Sequence, residues 1–185
     1  MIYLIEHGQT ALDARRESHG GRDIPLNKKG KLQAIHLGIN IRNMDPKPDV
    51  ILYSPRRRSE QTAKLAGHVA RIPALPAAAL APLHSGGLAA GREPAASRRL
   101  RPWFARPNRQ IPHGESVAAW RRRHLALLRR LLAAKRPVAL VTHSNVIGSL
   151  TGGPEAALAA MAAPPQSARP QKLSIRLMQR LSKPS

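Results

Sequence analysis

Four side chains in this sequence have the types needed to move an anionic group: His7, Arg58, Glu115 and His143. A neutral imidazole can attack phosphorus and carry the phosphoryl group. A planar guanidinium grips phosphate oxygens through its fork of N–H donors. A second imidazole, once protonated, stabilises charge on the group in transit. A carboxylic acid can protonate the leaving oxygen and then activate water. This scheme needs no metal and no organic cofactor, and none is expected.

These groups act together only if the chain brings them to one place. Residues 2–5 are a short apolar run that reads as a buried strand, ending in a turn with His7 and Gly8. Gly8 lacks a Cβ, so a ligand or another backbone can approach closely. Val50 to Tyr53 reads as a second buried strand, closed by Ser54-Pro55 and followed by a helix from Arg57 to Ala70. That helix carries Arg58 near its start and Thr62, Leu65, Ala66 and Val69 on one face. Pro137 to Val141 is a third strand, breaking at Thr142-His143-Ser144-Asn145. If the three are parallel neighbours, their polar turns converge at the carboxyl edge of the sheet, where open α/β sheets bind ligands. Glu6 stands beside His7, where an anion site wants a cation.

The other elements are read from period and punctuation. Asn27 caps a helix that runs to about Arg42, despite Gly30 in its first turn. Its apolar spacing fits either Leu32, Ile35 and Ile39 or Leu37 and Ile41 as the inner face. Residues 73–112, rich in Pro and Gly with a basic cluster at Arg98, Arg99 and Arg101, read as an excursion over the active face. Trp103 and Phe104 are its expected anchors. Glu115 to about Ala134 is predicted as a helix with a stripe of Val117, Trp120, Leu127, Leu128, Leu131 and Leu132. The Arg runs at 121–123 and 129–130 read as solvated flanks. A helix from about Asn145 ends near Gly152-Gly153, and Glu155 to Ala163 forms another. Lys172 to Met178 alternates as an edge strand. The prediction is one domain over residues 1–178 with a tail at 179–185. His19, His36, His68 and His124 read as surface or packing residues, and His84 and His113 as candidates for the cleft.

Bulk composition bounds the rest. A chain of 185 residues with 42% hydrophobic residues suffices for one domain with a full core. The formal net charge of +21 favours anionic partners. The basic residues are spread along the chain, however, so nucleic acid is not expected as the main partner. Beyond Glu93 only Glu115 and Glu155 are acidic, which singles out Glu115 in an Arg-rich half. There is no cysteine, which excludes disulfides and thiolate metal sites. No secretory leader and no run of the ~20 apolar residues needed to span a bilayer is read, so a cytoplasmic location and no membrane partner are expected. The oligomeric state is not read.

The motifs together resemble the histidine phosphatase superfamily, in its phosphoglycerate-mutase-like branch. The opening resembles the family's Leu-X-Arg-His-Gly-Glu/Gln-Thr, with His7, Gly8, Gln9 and Thr10 in place. Gly20, Asp23, Pro25, Leu26, Gly30 and Gln33-Ala34 resemble the following loop and helix. Ser54-Pro55-Arg56-Arg57-Arg58-Ser59-Glu60-Gln61-Thr62-Ala63 resembles Ser-Pro-X-X-Arg-Ala-X-Gln-Thr-Ala. Gly114-Glu115-Ser116 and Val141-Thr142-His143 resemble two further blocks, all in family order.

The resemblance implies a single three-layer α/β domain, with a mainly parallel sheet and helices on both faces. It implies His7 as the phosphorylated nucleophile, Arg58 and His143 as holders of the phosphoryl group, and Glu115 as proton donor. Gly8, Gln9, Thr10, Arg16, Asp23, Ser144 and Asn145 are the substrate-binding residues expected from it. The implied activity is hydrolysis of a small phosphomonoester through phosphohistidine. A mutase is less expected, because the excursion is too short to trap a bisphosphate.

Five positions depart from the pattern. Glu6 replaces an arginine, Asp13 an asparagine and Glu17 an arginine, although Arg15 and Arg16 lie close by; Ser144 and Asn145 stand where glycines are usual. The first three add negative charge. Two unit charges ~4 Å apart interact by about 4 kcal/mol at an effective dielectric of 20. Weakened activity is therefore expected, and the alternative is an impaired family member that binds or scaffolds.

Overall fold

Strand order decides where the chemistry sits. The computed structural model describes residues 1–162 and 171–172. In chain order its strands are β1 (Ile2–Glu6), β2 (Glu17–His19), β3 (Val50–Tyr53), β4 (Ala74–Pro76), β5 (Ala90–Arg92), β6 (Val138–Thr142) and β7 (Gln171–Lys172). The main sheet has the order β4-β3-β6-β1-β7. β4, β3, β6 and β1 are parallel, and β7 closes the edge antiparallel to β1. β1 and β6 are buried at every residue. That is why they are continuous apolar runs rather than alternating ones.

The helices are α1 (Ala11–Ala14), α2 (Lys28–Arg42), α3 (Arg57–Ala70), α4 (Ala95–Ala105), α5 (Val117–Ala134) and α6 (Ser144–Ala162). Tyr3, Ile5, Leu37, Ile41, Ile51, Ala63, Ala66 and Val141 fill the core between the sheet and α2–α3. Ile2, Leu4, Leu100, Phe104, Trp120, Leu128, Leu140 and Leu150 fill the core on the opposite face, under α4–α6. The result is the expected three-layer α/β domain.

The face of α2 that sequence left open is settled by close packing. Leu37 and Ile41 are buried, whereas Leu32, Ile35 and Ile39 are exposed. Gly38 lies on the inner side, where a Cβ would meet the Val69 Cβ at 2.6 Å and the Ala66 carbonyl at 2.7 Å. α3 answers with Thr62, Ala63, Ala66, Gly67 and Ala70, a buried face of small residues. Leu65 and Val69 stand at its margin, half-buried.

Gly30 has a different task. Its N–H is capped by Asn27 Oδ1 at 2.8 Å. A Cβ on it would sit 2.1 Å from the Gln9 carbonyl oxygen. The start of α2 thus presses on the turn after His7. Gly30→Ala must push backbone against backbone, and overpacking of this kind costs about 1–3 kcal/mol. The melting temperature should fall by roughly 3–10 °C in a domain of this size, read by thermal unfolding.

Residues 73–112 are more ordered than expected. β4 joins the main sheet beside β3, with Ile51 opposite Ala74 and Tyr53 opposite Pro76. A single 3-10 turn follows at Ala78–Leu80. β5 pairs antiparallel with β2, Glu17 opposite Arg92, and so ties the excursion to the loop after α1. Phe104 on α4 is buried edge-on to Trp120, their ring centroids 6.2 Å apart. Trp103 packs against the same core, with Arg109 stacked 4.9 Å from its ring.

α5 starts two residues later than expected. Ser116 caps it, its Oγ accepting from the Ala119 N–H at 3.1 Å, so Glu115 lies before the helix. The fully buried stripe is Val117, Trp120, His124 and Leu128. Leu127, Leu131 and Leu132 pack only at its border. α6 breaks at Gly153, whose φ of 81° is left-handed, and resumes at Pro154. Of the expected strand from Lys172 to Met178, only Lys172 is described, with Gln171, as β7. The remainder and the expected tail lie outside the described residues.

Candidate active site

The carboxyl ends of β1, β3 and β6 are stitched together before any side chain is considered. The His7 N–H donates to the Thr142 carbonyl at 3.1 Å, and the Ser54 N–H to the Val141 carbonyl at 3.0 Å. This places His7, the Ser54 turn leading to Arg58, and His143 around one point. The two imidazole centroids are 5.2 Å apart. His7, Arg58 and His143 are all buried.

The hydrogen bonds fix both tautomers. His7 Nδ1 lies 2.9 Å from the Gly8 carbonyl, which can only accept, so Nδ1 carries the proton. Nε2 is then the lone-pair nitrogen, and it accepts from Arg58 Nε at 3.1 Å. His143 Nδ1 is 3.2 Å from Arg58 Nη2, which can only donate, so Nδ1 is also an acceptor. His143 Nε2–H therefore donates to Ser54 Oγ at 2.8 Å. One guanidinium faces two imidazole lone pairs.

Burial is the first cause that holds both histidines well below the usual imidazole value, and the Arg58 charge is the second. Burial also lowers Arg58, to about 10, against the pull of Asp13, Asp23 and Glu6. Arg58 is cationic and the rings neutral at physiological pH. Thr62 secures the base of the arrangement, donating to the Arg58 carbonyl at 2.7 Å and accepting the Gly8 N–H at 2.9 Å.

These groups open into a cavity of about 300 Å³. Glu6, Arg16, Ser144 and Asn145 line it with them. Asn145 Oδ1 is buried with no hydrogen-bond partner among the described residues. Gly8, Gln9, Thr10 and Asp23, expected to bind substrate, do not line the cavity and frame it instead. A Cβ on Gly8 would lie 2.5 Å from the Gly30 carbonyl oxygen. The Gln9 N–H donates to Gln33 Oε1 at 2.9 Å, and Asp23 Oδ1 accepts from the Arg57 N–H at 2.9 Å.

Thr10 and Asp13 form the capping box of α1. Asp13 Oδ2 accepts the Thr10 N–H at 2.7 Å, while burial raises the Asp13 carboxyl above the usual value. Glu17 pairs with Arg15 at 3.2 Å and with Arg22 at 3.8 Å. Asp13 and Glu17 are thus both occupied locally, although both reach the cavity wall.

Glu115 was expected as the proton donor. It does not line the cavity. Its Oε1 accepts from Arg123 Nη2 at 2.8 Å and from the His84 N–H at 3.0 Å. Arg123 is no solvated flank: it also donates to the carbonyls of Ala79 at 2.9 Å, Ala81 at 2.8 Å and Pro82 at 3.1 Å. The carbonyls left unpaired after β4 need donors, and Arg123, held by Glu115, supplies them. The pair builds the wall that carries Leu83, His84 and Ser85 into the cavity. His84 therefore lines the cleft and His113 does not.

Sequence reasoning missed His19 and Arg56. The His19 ring lies 5.5 Å from that of His7, and its Nε2 is 3.1 Å from Thr10 Oγ1. Burial brings it down to about 3. Only the β2–β5 pairing brings it inward, and nothing in its local spacing announces that. Among the described residues no cluster of His, Cys, Asp or Glu could hold a metal ion, and no helix is long and apolar enough to cross a membrane.

The buried histidines make stability depend on acid. His124, paired with Ser149 Oγ at 3.0 Å, is lowered to about 3 by burial. An unfolded imidazole titrates near ~6.5. Below that pH the unfolded chain binds the extra proton, so stability falls as pH drops from ~6.5 towards 3, by about 1.4 kcal/mol per pH unit for each such group. Urea midpoints should be flat above pH 7 and fall between pH 6 and 4. His124→Asn should make that fall shallower.

The family model for the histidine phosphatase superfamily, branch 1, matches residues 2–167. The chain belongs to the histidine phosphatase superfamily. Among relatives of this superfamily member, a probable phosphoglycerate mutase of Klebsiella pneumoniae is 29% identical over 157 residues, covering 80% of this chain and 72% of that protein. An acid phosphatase of Mycobacterium tuberculosis is 35% identical over 66 residues, 36% of this chain and 32% of its own length. A solved Mycobacterium tuberculosis structure, of open reading frame Rv3214, superimposes with a TM-score of 0.68 at 26% identity, covering 93% of this chain and 95% of that one. A mycobacterial glucosyl-3-phosphoglycerate phosphatase complexed with VO3 shares the fold, with a TM-score of 0.70 at 22% identity over 91% and 88% of the two chains.

Proposed function

We propose that this histidine phosphatase superfamily member hydrolyses small phosphomonoesters through a phosphohistidine on His7. The observation that carries the reading is the single Arg58 fork facing the lone pairs of His7 Nε2 and His143 Nδ1. An incoming phosphate competes for the Arg58 N–H donors, which frees Nε2 beside the phosphorus. The Nε2–P bond forms as the P–O ester bond breaks, and the leaving oxygen takes a proton. Water then attacks phosphorus, the P–N bond breaks, and phosphate leaves. His143, neutral when the site is empty, accepts a proton as the dianion raises its basicity and so meets the charge of the group in transit.

Hydrolysis is favoured over mutase chemistry by the walls of the cavity. Glu6, Asp13, Glu17 and Glu93 line it beside Arg16, Arg22, Arg56 and Arg58, so the carboxylates offset the arginine charge that a second dianion would need. The reading of an inactive binding protein gains no support, because Asp13 and Glu17 are already engaged and the His–Arg–His set is intact.

The test is turnover of p-nitrophenyl phosphate by the purified protein, with rapid quenching in base to trap the phosphoenzyme. The expected product is a phosphoenzyme stable in alkali and labile in acid, as a phosphorus–nitrogen bond requires. No turnover and no trapped phosphoenzyme would end the proposal.

A further inference from the structure

α2 is apolar on two sides, and the fold uses one of them. Ala34, Leu37, Gly38 and Ile41 face inward and are buried. Leu32, Ile35 and Ile39 lie on the outer side and are 52%, 37% and 46% exposed. Their i, i+3, i+7 spacing sets them in one stripe along the helix. Among the described residues, the other large apolar side chains exposed to this degree are Met1 and Leu75. A Leu and two Ile in a row are therefore not the scattered apolar residues of an ordinary surface.

The frame of the stripe is cationic. By helical period Lys28 and Arg42 stand at its two ends, with Lys31 on one flank and Lys29 and His36 on the other. All five are exposed. No residue of α2 is acidic, and Asp45 lies beyond its end. α3, packed on α2, exposes Lys64, His68 and Arg71, and its Glu60 is already engaged by Lys64 at 2.7 Å. The whole chain carries a formal net charge of +21.

Charge selects the occupant of this face. A second copy fits poorly, because the same face set against itself brings Lys28, Lys31 and Arg42 onto their own equivalents. The outer side of a helix is convex, so a protein partner would need a groove lined by both apolar and acidic groups. A bilayer of anionic lipids offers both in one plane, phosphates at the surface and acyl chains beneath. Lysine and arginine stems lie along such a boundary and keep their charged ends among the headgroups.

We infer that the outer face of α2 docks this protein on an anionic bilayer surface. Leu32, Ile35 and Ile39 enter the acyl boundary, and Lys28, Lys29, Lys31 and Arg42 meet lipid phosphates. The helix lies in the plane of the interface and spans nothing, so the inference does not call for a helix long enough to cross a membrane. With three apolar side chains the docking is reversible. The stripe shares no residue with the lining of the phosphate cavity, so docking stands or falls apart from the chemistry proposed above.

Co-sedimentation of the full chain with phosphatidylcholine vesicles, with and without phosphatidylglycerol, tests this. Binding is expected only where phosphatidylglycerol is present. The triple variant Leu32→Gln, Ile35→Gln, Ile39→Gln keeps every charge and a good helix former at each position. Its partition into those vesicles should fall by about tenfold or more. Wild-type partition in the variant would mean that bulk charge alone binds lipid, and would overturn the inference. No binding to either vesicle, or equal binding to both, would overturn it as well. So would a wild-type dimer in light scattering that the variant loses, since a second copy would then cover the stripe. Should the variant lose its melting transition, insertion is read directly instead. The chain has no cysteine, so Ile35→Cys accepts a single polarity-sensitive fluorophore, as does Arg98→Cys, exposed on α4 across the sheet. Anionic vesicles should shift the emission at position 35 to the blue and leave position 98 unchanged. The same response at both positions would overturn the docking.

Discussion

His7→Asn is expected to lower kcat by at least about 10⁴-fold and to leave no trappable phosphoenzyme. Asn can keep the contact to the Gly8 carbonyl that His7 Nδ1 makes at 2.9 Å, so the turn after β1 should hold. What it lacks is the lone pair at the Nε2 position, now 3.1 Å from Arg58 Nε. A loss of 10⁴ corresponds to about 5.5 kcal/mol of barrier. That is a reasonable size for removing a covalent route rather than a binding contact. The check is a steady-state and acid-lability assay on both proteins. A phosphoenzyme of normal yield in the variant would move the nucleophile to another ring, with His143 and His19 next in reach.

The second large effect is expected at Arg58. Arg58→Met should reduce kcat/KM by roughly 10³-fold, since a charge-assisted hydrogen bond contributes about 1.5–3 kcal/mol and two are lost. Arg58→Lys should recover little, because an ammonium cannot span two imidazoles and then present a planar fork to phosphate. The pH profile carries a distinct sign. After burial, the Arg58 charge is the main cause holding His7 and His143 low. A nucleophile with a lowered value stays neutral as the medium is acidified, so the wild-type acid limb of kcat/KM lies well below pH 6.5. In Arg58→Met that limb should move up in pH, because the repelling charge is gone. A limb that stays in place would mean that burial alone sets the protonation of these rings.

Much of the site was legible without coordinates, for one physical reason. A strand buried on both faces must be apolar throughout and must end where polar groups can reach solvent or ligand. β1, β3 and β6 announce themselves as apolar runs, and each breaks at a group with chemistry: His7, the turn before Arg58, and His143. The start of α2 was equally legible, because Asn27 caps it locally, whereas the Ser116 cap of α5 was not read and that helix was expected from Glu115. The inner face of α2 was not legible either. Both candidate stripes have helical period, and only the close approach of α3 at Gly38 selects Leu37 and Ile41.

The remaining site residues depend on contacts distant in sequence. His19 enters the cavity because β2 finds β5, some seventy residues on ~ a pairing that neither short strand specifies alone. Glu115 was expected as proton donor from the resemblance, and its pairing with Arg123, which binds the carbonyls after β4, was not readable from local spacing. Glu6 was legible as a charge out of place. That it shares the cavity with His7 follows only from the folded chain. The sequence by itself determined the strands, their order of chemical turns and the His–Arg–His set, because local pattern encodes burial. The tertiary structure alone decided which carboxylates line the cavity and which one Arg123 holds outside it, because that choice is made by partners far along the chain.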